Sequence, residues 1–460
     1  WMDFQEGDSF EEEVTKDEPK FISAPSVRER INDTNVMITG NITVDSAKRL
    51  ADIINSGSLP VHMNEIFSTS VGAQFGEQAL NSTVFAGIIG VAIIFLFMIA
   101  VYRFPGIIAS INLAIYIYLI LLVFQLMNGV LTLPGIAALI LGVGMAVDAN
   151  IITFERIKEE LRAGKSVLAA FKAGSKNSLV AIVDANITTL LAASVLFIFG
   201  TSSIKGFATM LIVSILVSFL TAVYGTRFFL GLWVNSRVLT NKISWFGVKK
   251  DQVRDIADTS EVEPTIFNRT YNIVKHRRKF YIFTSTIVIL GALSLVLLKL
   301  NPGIDFTAGS RIEIPANESL TTENIEQDLE EINLEAQSIV ISGDNNDLAV
   351  TRYDTVLSKD EVADIQAHFN EKYGMEPSVS VVSPIVGEEL VKNAIYALSI
   401  AAIGIIIYVT IRFEFFFAIT AIFTLLHDVF IMLVVFSLTR IEFDVTIVAA
   451  LLTIIGYSIN

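Results

Sequence analysis

The residues best able to do chemistry in this sequence are acids and amides set in apolar surroundings. Asp148 and Asn150 close the stretch Gly142-Val143-Gly144-Met145-Ala146-Val147-Asp148-Ala149-Asn150. Asp184 and Asn186 repeat the Asp-Ala-Asn tripeptide ahead of Thr188 and Thr189, and His427-Asp428 stands between Leu425-Leu426 and Val429-Phe430. A charged Asp at mid-bilayer costs about 2.5–3.5 kcal/mol on insertion scales, so it faces a bundle interior or water and is a functional candidate by default. The chemistry open to such a set is titration, the uptake and release of a proton. A structural reading competes with it: the same groups serve as hydrogen-bonding glue between helices. Carboxylate, amide and hydroxyl oxygens also coordinate sodium, so the coupled ion stays open.

Several activities fall away. No Gly-x-x-x-x-Gly-Lys-Ser/Thr loop occurs, so the chain is not expected to hydrolyse ATP. There is no cysteine, no His-Glu-x-x-His motif and only four scattered histidines, so neither a metal site nor a cofactor is expected. Asp148 and Asp184 on consecutive helices would suit an intramembrane aspartyl protease, which needs two carboxylates sharing a water. The Gly-x-Gly that should directly precede one of them is absent: Met145-Ala146-Val147 and Ala181-Ile182-Val183 stand there. A passive scaffold would leave Asp148 replaceable. Ion-gradient coupling by a non-enzymatic transport subunit fits the set best.

The elements that must position these residues are transmembrane helices. Hydrophobic residues make up 53% of 460 positions and charged ones 17%, against about 25% charged in ordinary soluble domains. Apolar runs near 83–102, 107–127, 130–152, 179–200, 205–227, 280–299, 391–411, 415–438 and 444–460 are long enough to span a bilayer. Gly142, Gly144 and Ala146 offer a small face for a neighbouring helix. Arg103 and Arg412, at helix ends, are expected to snorkel.

Charge sets the topology. The net charge is −14, and residues 300–390 hold four Lys/Arg against nineteen Asp/Glu. The connections 153–178 and 228–279 are instead rich in Lys and Arg, which keeps them cytoplasmic. Residues 1–82 and 300–390 then lie outside, in agreement with the helix count between them.

Outside the membrane, residues 35–69 read strand 36–39, helix 44–56, strand 61–68. Residues 311–383 read β-α-β-β-α-β, with strands 311–314, 338–342, 348–352 and 378–382 and helices 322–332 and 359–373, the ferredoxin-like order. An internal repeat relates the two membrane parts: Gly144 matches Gly456 at an offset of 312, Arg103 matches Arg412 at 309, and Gly76 matches Gly387 at 311. Repeats of the same orientation are related by an axis along the membrane normal. The chain thus divides into 1–82, an α+β outer part; 83–233, five helices; 234–279, a cytoplasmic linker; 280–299, one helix; 300–390, the ferredoxin-like domain; and 391–460, three further helices. Asn460 stops inside an apolar run and no signal peptide opens the chain at Trp1, so a longer parent protein is expected.

These residues resemble a known family. Gly144 to Asn150, continuing Ile151-Ile152-Thr153-Phe154-Glu155-Arg156-Ile157, is similar to a SecD signature, as is Asp184 to Leu190. Gly303-Ile304-Asp305-Phe306-Thr307-Ala308-Gly309, His427-Asp428 and Gly456-Tyr457-Ser458-Ile459-Asn460 resemble SecF signatures. SecD-like motifs followed by SecF-like ones resemble the fused members of the SecD/SecF family, within the resistance–nodulation–division (RND) superfamily. The resemblance implies a polytopic α-helical membrane protein with two pseudo-symmetric RND-type helical halves and ferredoxin-like extracytoplasmic domains. It implies an accessory role in the bacterial plasma membrane, driven by proton motive force, in preprotein export. The partners implied are the SecYEG channel, SecA, a YidC-type insertase and the emerging preprotein, with no nucleic acid. Asp148 is then the proton-relay carboxylate of the first half, with Asn150, Asp184, Asn186, His427 and Asp428 in the relay. Gly142, Gly144, Gly303, Asp305, Gly309, Gly456 and Asn460 carry the motifs. The carboxylate of the second half follows Gly-Tyr-Ser-Ile-Asn in the family, one residue beyond Asn460, so this stretch alone is not expected to pump. Ala308 stands where the family pattern has glycine. The rival within the superfamily is an exporter of lipids or drugs, which usually carries larger outer domains.

Overall fold

The computed structural model describes residues 67–71, 73–130, 132–240, 242–254, 265–266, 269–270, 274–343 and 345–458, together with 43–44, 47–48 and 50–51. The chain forms two compact units, Trp1–Glu65 and Ile66–Asn460. In the first, helix is described at 44, 47–48 and 50–51, within the helix expected over 44–56. The expected strand 36–39, residues 61–66 of the expected strand 61–68, and Asn460 lie outside the described residues.

The second unit begins with strand β1 (Phe67–Ser70) and helix α1 (Ala73–Leu126). α1 holds two of the expected runs. At Arg103 the backbone turns to φ 52°, and Pro105 follows within the helix, which removes a hydrogen bond and clashes with the preceding turn. Only glycine fits next: a Cβ on Gly106 would lie 2.0 Å from the Met98 carbonyl oxygen. Helices α2 (Leu133–Arg162) and α3 (Val167–Phe199) open on capping hydroxyls, Thr132 and Ser166, that accept from the first-turn amides of Gly135 and Ala169. Both run past the apolar runs that announced them, because the charged segment 153–162 and the mixed segment 167–178 stay helical.

α4 (Ser202–Ser218) passes through a π-turn, Phe219–Gly225, into α5 (Thr226–Asn235). Thr226 reaches back to the Thr221 carbonyl, and Gly225 sits where a Cβ would come within 2.9 Å of the Asn112 side-chain oxygen. After α6 (Arg277–Leu297) the outer domain intervenes, followed by α9 (Pro384–Arg412), α10 (Phe415–Thr439) and α11 (Val445–Ser458). Among the described residues seven helical stretches are long and apolar enough to cross a membrane, with α11 a shorter apolar helix. The kink in α1 divides its stretch in two, which accounts for all nine expected runs.

The outer domain has the expected order: β2 (Gly309–Pro315), α7 (Thr322–Glu331), β3 (Ser338–Ser342), β4 (Leu348–Tyr353), α8 (Lys359–Tyr373), β5 (Ser378–Val382). The sheet runs β1-β5-β2-β4-β3, antiparallel throughout. β1 is the surprise. The strand expected to close the first outer domain pairs with the edge of this one, Phe67 opposite Val382 and Ser70 opposite Val379, and Gln366 of α8 donates to the Ser70 hydroxyl at 3.1 Å.

Ile312, Ile314, Ile325, Leu329, Ile365 and Phe369 fill the space between sheet and helices. Phe369 is fully buried and stacks on Tyr373. Phe369→Ala is expected to destabilise this domain by about 3–5 kcal/mol through the cavity it leaves. Protease resistance of the full chain against urea measures the loss.

In the membrane part, a core around Tyr116, Phe154, Ile157 and Met210 holds α1, α2 and α4 together. A second core joins α3, α4, α9 and α11 to Ile304 and Val382 at the foot of the outer domain. The two halves therefore meet along α3.

Candidate functional site

α3 and α11 approach closely because residue 456 is glycine. A Cβ there would lie 3.1 Å from Thr189 Cα and 3.2 Å from Ala192 Cβ. The hydroxyls of Thr188 and Thr189 donate to the Gly456 carbonyl at 2.8 and 3.4 Å. Each hydroxyl shares its single proton between that carbonyl and the Ala185 carbonyl of its own helix.

The close approach brings the end of α11 against α2. Asp148, Ala149 and Ile152 of α2, Ala185, Asn186 and Thr189 of α3, and Tyr457 of α11 line one small cavity. Its volume, about 10 Å³, is on the order of what one water needs. A wider and more open recess of about 590 Å³ shares Asp148, Ile152 and Tyr457 and adds Ile454 and Ser458. From Ser458 the polar groups continue: its hydroxyl donates to Asp428, and Asp428 Oδ1 lies 3.2 Å from His427 Nδ1. Asp148 thus stands at the seam of the two halves, in a recess it shares with Ser458, whose hydroxyl bonds the carboxylate–imidazole pair on α10.

The candidates from sequence separate into those this seam gathers and those it does not. Asp148 and Asn186 share the cavity, and Asp428 and His427 join through Ser458. Asn150 turns away. It is buried, and its amide donates to the Ala146 carbonyl one turn back in its own helix, because two residues of helix rotate it to the opposite face from Asp148.

Asp184 lies elsewhere too. Its Oδ1 accepts from Tyr408 at 2.8 Å, and Arg412 Nε is 2.9 Å from its Oδ2. Arg412, expected to snorkel, is therefore one half of an ion pair that ties α3 to the end of α9. Arg103 likewise donates to the Ser244 carbonyl at 2.8 Å. The small face of α2 is corrected in one position. Gly142 is in tight contact, its missing Cβ 2.7 Å from Ser214 and the Tyr116 hydroxyl, and Ala146 is buried; at Gly144 nothing lies within 4 Å. Positions 142 and 146 share a face, and 144 does not.

Tyr457 and Ser458 were absent from the candidates although they stand in the Gly-Tyr-Ser stretch. Hydroxyls in an apolar run carry no charge, and only the neighbour they meet marks them out. Gly303, Asp305 and Gly309 lie at the outer end, far along the chain from the Asp148 cavity. Gly309, at φ +121°, has the Tyr353 carbonyl 2.2 Å from where a Cβ would be, so only glycine fits. Its neighbour Ala308 adopts φ 64°, a conformation glycine takes without strain.

Comparison with known proteins bears on the whole chain. Residues 55–235 and 361–460 match the family described as protein export membrane protein SecD/SecF, C-terminal. Residues 17–61 match the SecDF P1 head subdomain, and 293–319 the SecD/SecF GG motif. The protein translocase subunit SecDF of Bacillus subtilis is 56% identical over all of this chain, which spans 63% of that relative. The SecDF subunit of Brucella abortus is 30% identical over 95% of the chain and 56% of the relative. The chain thus covers about three fifths of the length of these relatives. A crystal structure of SecDF from Thermus thermophilus, described as a translocon-associated membrane protein, superposes with a TM-score of 0.75 at 31% identity, over 95% of this chain and 58% of that one. A SecDF structure in a super-membrane-facing form gives 0.61 at 30% identity, over 91% and 55%.

Proposed function

The chain belongs to the SecD/SecF family of protein-export membrane proteins, and we propose that it works as an accessory subunit of the Sec preprotein translocase, driven by the proton motive force. The observation that carries this reading is the placement of Asp148. An acid at the seam between two helical halves, beside Asn186, Tyr457 and Ser458, changes its preferred surroundings when it gains or loses a proton. Helices that pack one way around the carboxylate and another way around the acid convert a proton's passage into movement of one half against the other.

Asp148 exchanges the proton in this scheme, and Ser458 links it to Asp428 and His427 on α10. Asn186 stands beside the carboxylate in the same cavity, while Thr189 holds α3 against α11. Asp184, Tyr408 and Arg412 fasten α3 to α9, so that the two helices travel together. The five-stranded domain and residues 1–82 face the outside, where the emerging preprotein is handled, while 153–178 and 234–279 face the cytoplasm. Partnership with the SecYEG channel, SecA and a YidC-type insertase follows from this placement in the Sec system.

The test is export in membrane vesicles containing the full-length protein, with the proton gradient present, collapsed by a protonophore, or replaced by a sodium gradient. Export that this protein stimulates only with the proton gradient is the expected result. Stimulation that persists without any gradient overturns the coupling, and stimulation by sodium alone reassigns the ion.

A further inference from the structure

At the outer end of α11, a second carboxylate does something the site at Asp148 does not explain. The first turn of any helix leaves backbone N–H groups without partners. In α11, Asp444 serves Ile447 N–H at 3.1 Å and the Thr446 hydroxyl at 2.5 Å. The N–H of Val445 is instead taken by Asp305 Oδ2 at 3.1 Å, from a segment 140 residues away in sequence. One cap is local, and the other belongs to the entrance of the outer domain.

That entrance is clamped on both sides. Towards α11, Asn301–Pro302 pairs in parallel with Glu442–Phe443, and Gly303 N–H donates to the Phe443 carbonyl at 2.8 Å. A Cβ on Gly303 would lie 3.0 Å from Glu442 Oε1 and 3.3 Å from the Phe443 carbonyl oxygen, so any larger residue would crowd this pairing. Towards the sheet, Arg352 of β4 donates to the Pro302 carbonyl at 2.7 Å and the Thr307 hydroxyl at 2.8 Å. Arg311 of β2 pairs with Glu313 at 2.5 Å and reaches Glu442 at 3.5 Å. Asp305, Arg311, Glu442 and Asp444 line a cavity of about 160 Å³ between sheet and helices. Burial raises the pKa of Asp305, Asp444 and Glu442 push the same way, and the Val445 N–H and Arg311 oppose them.

α11 then runs down to the seam. Tyr457 is twelve residues below Val445, roughly 18 Å along a helix. Between them Val448, Ala449 and Leu452 pack against Val195 and Leu196 of α3 in an apolar layer. No side chain in that layer relays a proton. What passes along α11 is displacement of a stiff rod.

We infer that Asp305 is a positioning residue that couples the outer domain to the Asp148 site, by holding the outer end of the helix whose other end carries Tyr457 and Ser458. The inference rests on the function proposed above. It assigns the sharply turned loop 303–309, with Ala308 and Gly309 at positive φ, the task of presenting this carboxylate to another element's helix. Movement of the sheet is then transmitted to the seam, and rearrangement at the seam is transmitted back.

The experiment uses the full-length protein in membranes, with Asp305→Ala alone and combined with Asn301→Cys and Glu442→Cys. Those two positions face each other in the parallel pair, and this stretch has no other cysteine. Hydrogen–deuterium exchange of 445–449 and gradient-dependent export are both read. Asp305→Ala is expected to speed exchange of these amides about fivefold, the usual effect of a lost cap, and to lower export. Oxidising the cysteine pair restores both, and reduction abolishes the rescue. Unchanged exchange in Asp305→Ala overturns the inference, as does lost export that the disulfide fails to restore. Asp148→Asn in the same assay separates the two ideas. If it leaves export intact, the proposed function fails, and the exchange data alone judge the coupling.

Discussion

Asp148→Asn is expected to remove the gradient-dependent part of export while leaving the protein folded and inserted. Asparagine has nearly the shape of aspartate and keeps a carbonyl acceptor, so the cavity lined by Asn186, Thr189 and Tyr457 is expected to persist. It cannot titrate. A lost acid–base group is worth about 10²–10⁴ in rate, so proton-coupled stimulation should fall to the level seen with the gradient collapsed. Stability should move the other way or not at all, since a charged Asp at mid-bilayer carries a penalty of about 2.5–3.5 kcal/mol that Asn avoids in part. Loss of coupling with an unchanged or raised melting temperature is the signature. Gradient-dependent export at the wild-type level in this variant would remove Asp148 from the mechanism. Asp148→Glu keeps the proton but adds a methylene in a cavity of about 10 Å³, so partial activity is expected.

The second large effect lies at Gly456. Valine there would drive its Cβ against Thr189 Cα and Ala192 Cβ, 3.1 and 3.2 Å away, and its γ-methyls have no more room. Backbone cannot move aside as the end of a flexible side chain can, so α3 and α11 must separate. Separation breaks the bonds from Thr188 and Thr189 to the Gly456 carbonyl. Overpacking costs about 1–3 kcal/mol and interhelical hydrogen bonds add about 0.6 kcal/mol each. Gly456→Val should therefore lower the melting temperature in detergent and abolish export together, unlike Asp148→Asn. Gly144→Ala is the control at the repeat-related position. Nothing lies within 4 Å of its Cβ, and alanine favours helix, so stability should hold or rise. A melting temperature unaffected by Gly456→Val would show that the two halves do not depend on this contact.

The two glycines show how far a sequence repeat can be trusted. Gly144 and Gly456 occupy matching places in the two halves, yet one faces open space and the other a close contact between α3 and α11. Asp148 and Asp184 sit in identical tripeptides, yet one lines the seam and the other is taken by Tyr408 and Arg412. In both cases the local pattern is the same and the neighbouring helix differs.

Local rules account for what could be read without coordinates. Long apolar runs must become helices because backbone polar groups have no other partner in a bilayer, and among the described residues each of the nine runs forms a helix. Alternating residues, caps and turn residues act within a few positions of themselves, which is why the β-α-β-β-α-β order of 309–382 was legible almost to the residue. Asp148 stood out as a candidate for the same reason: a carboxylate in hydrocarbon is expensive wherever its neighbours are.

What only the tertiary structure decided is which residues meet. Strand β1 pairs with the edge of the sheet formed by 309–382, because an unpaired edge accepts a strand that reaches it. Ser458 found Asp428, Tyr457 found Asp148, and Asp305 capped a helix 140 residues away. These partners are set by packing across the seam between the halves, where energy depends on the approach of two surfaces and leaves no periodic mark on either. The sequence alone determined that an acid lies within an apolar helix of a two-part membrane bundle; the fold determined which residues stand beside it.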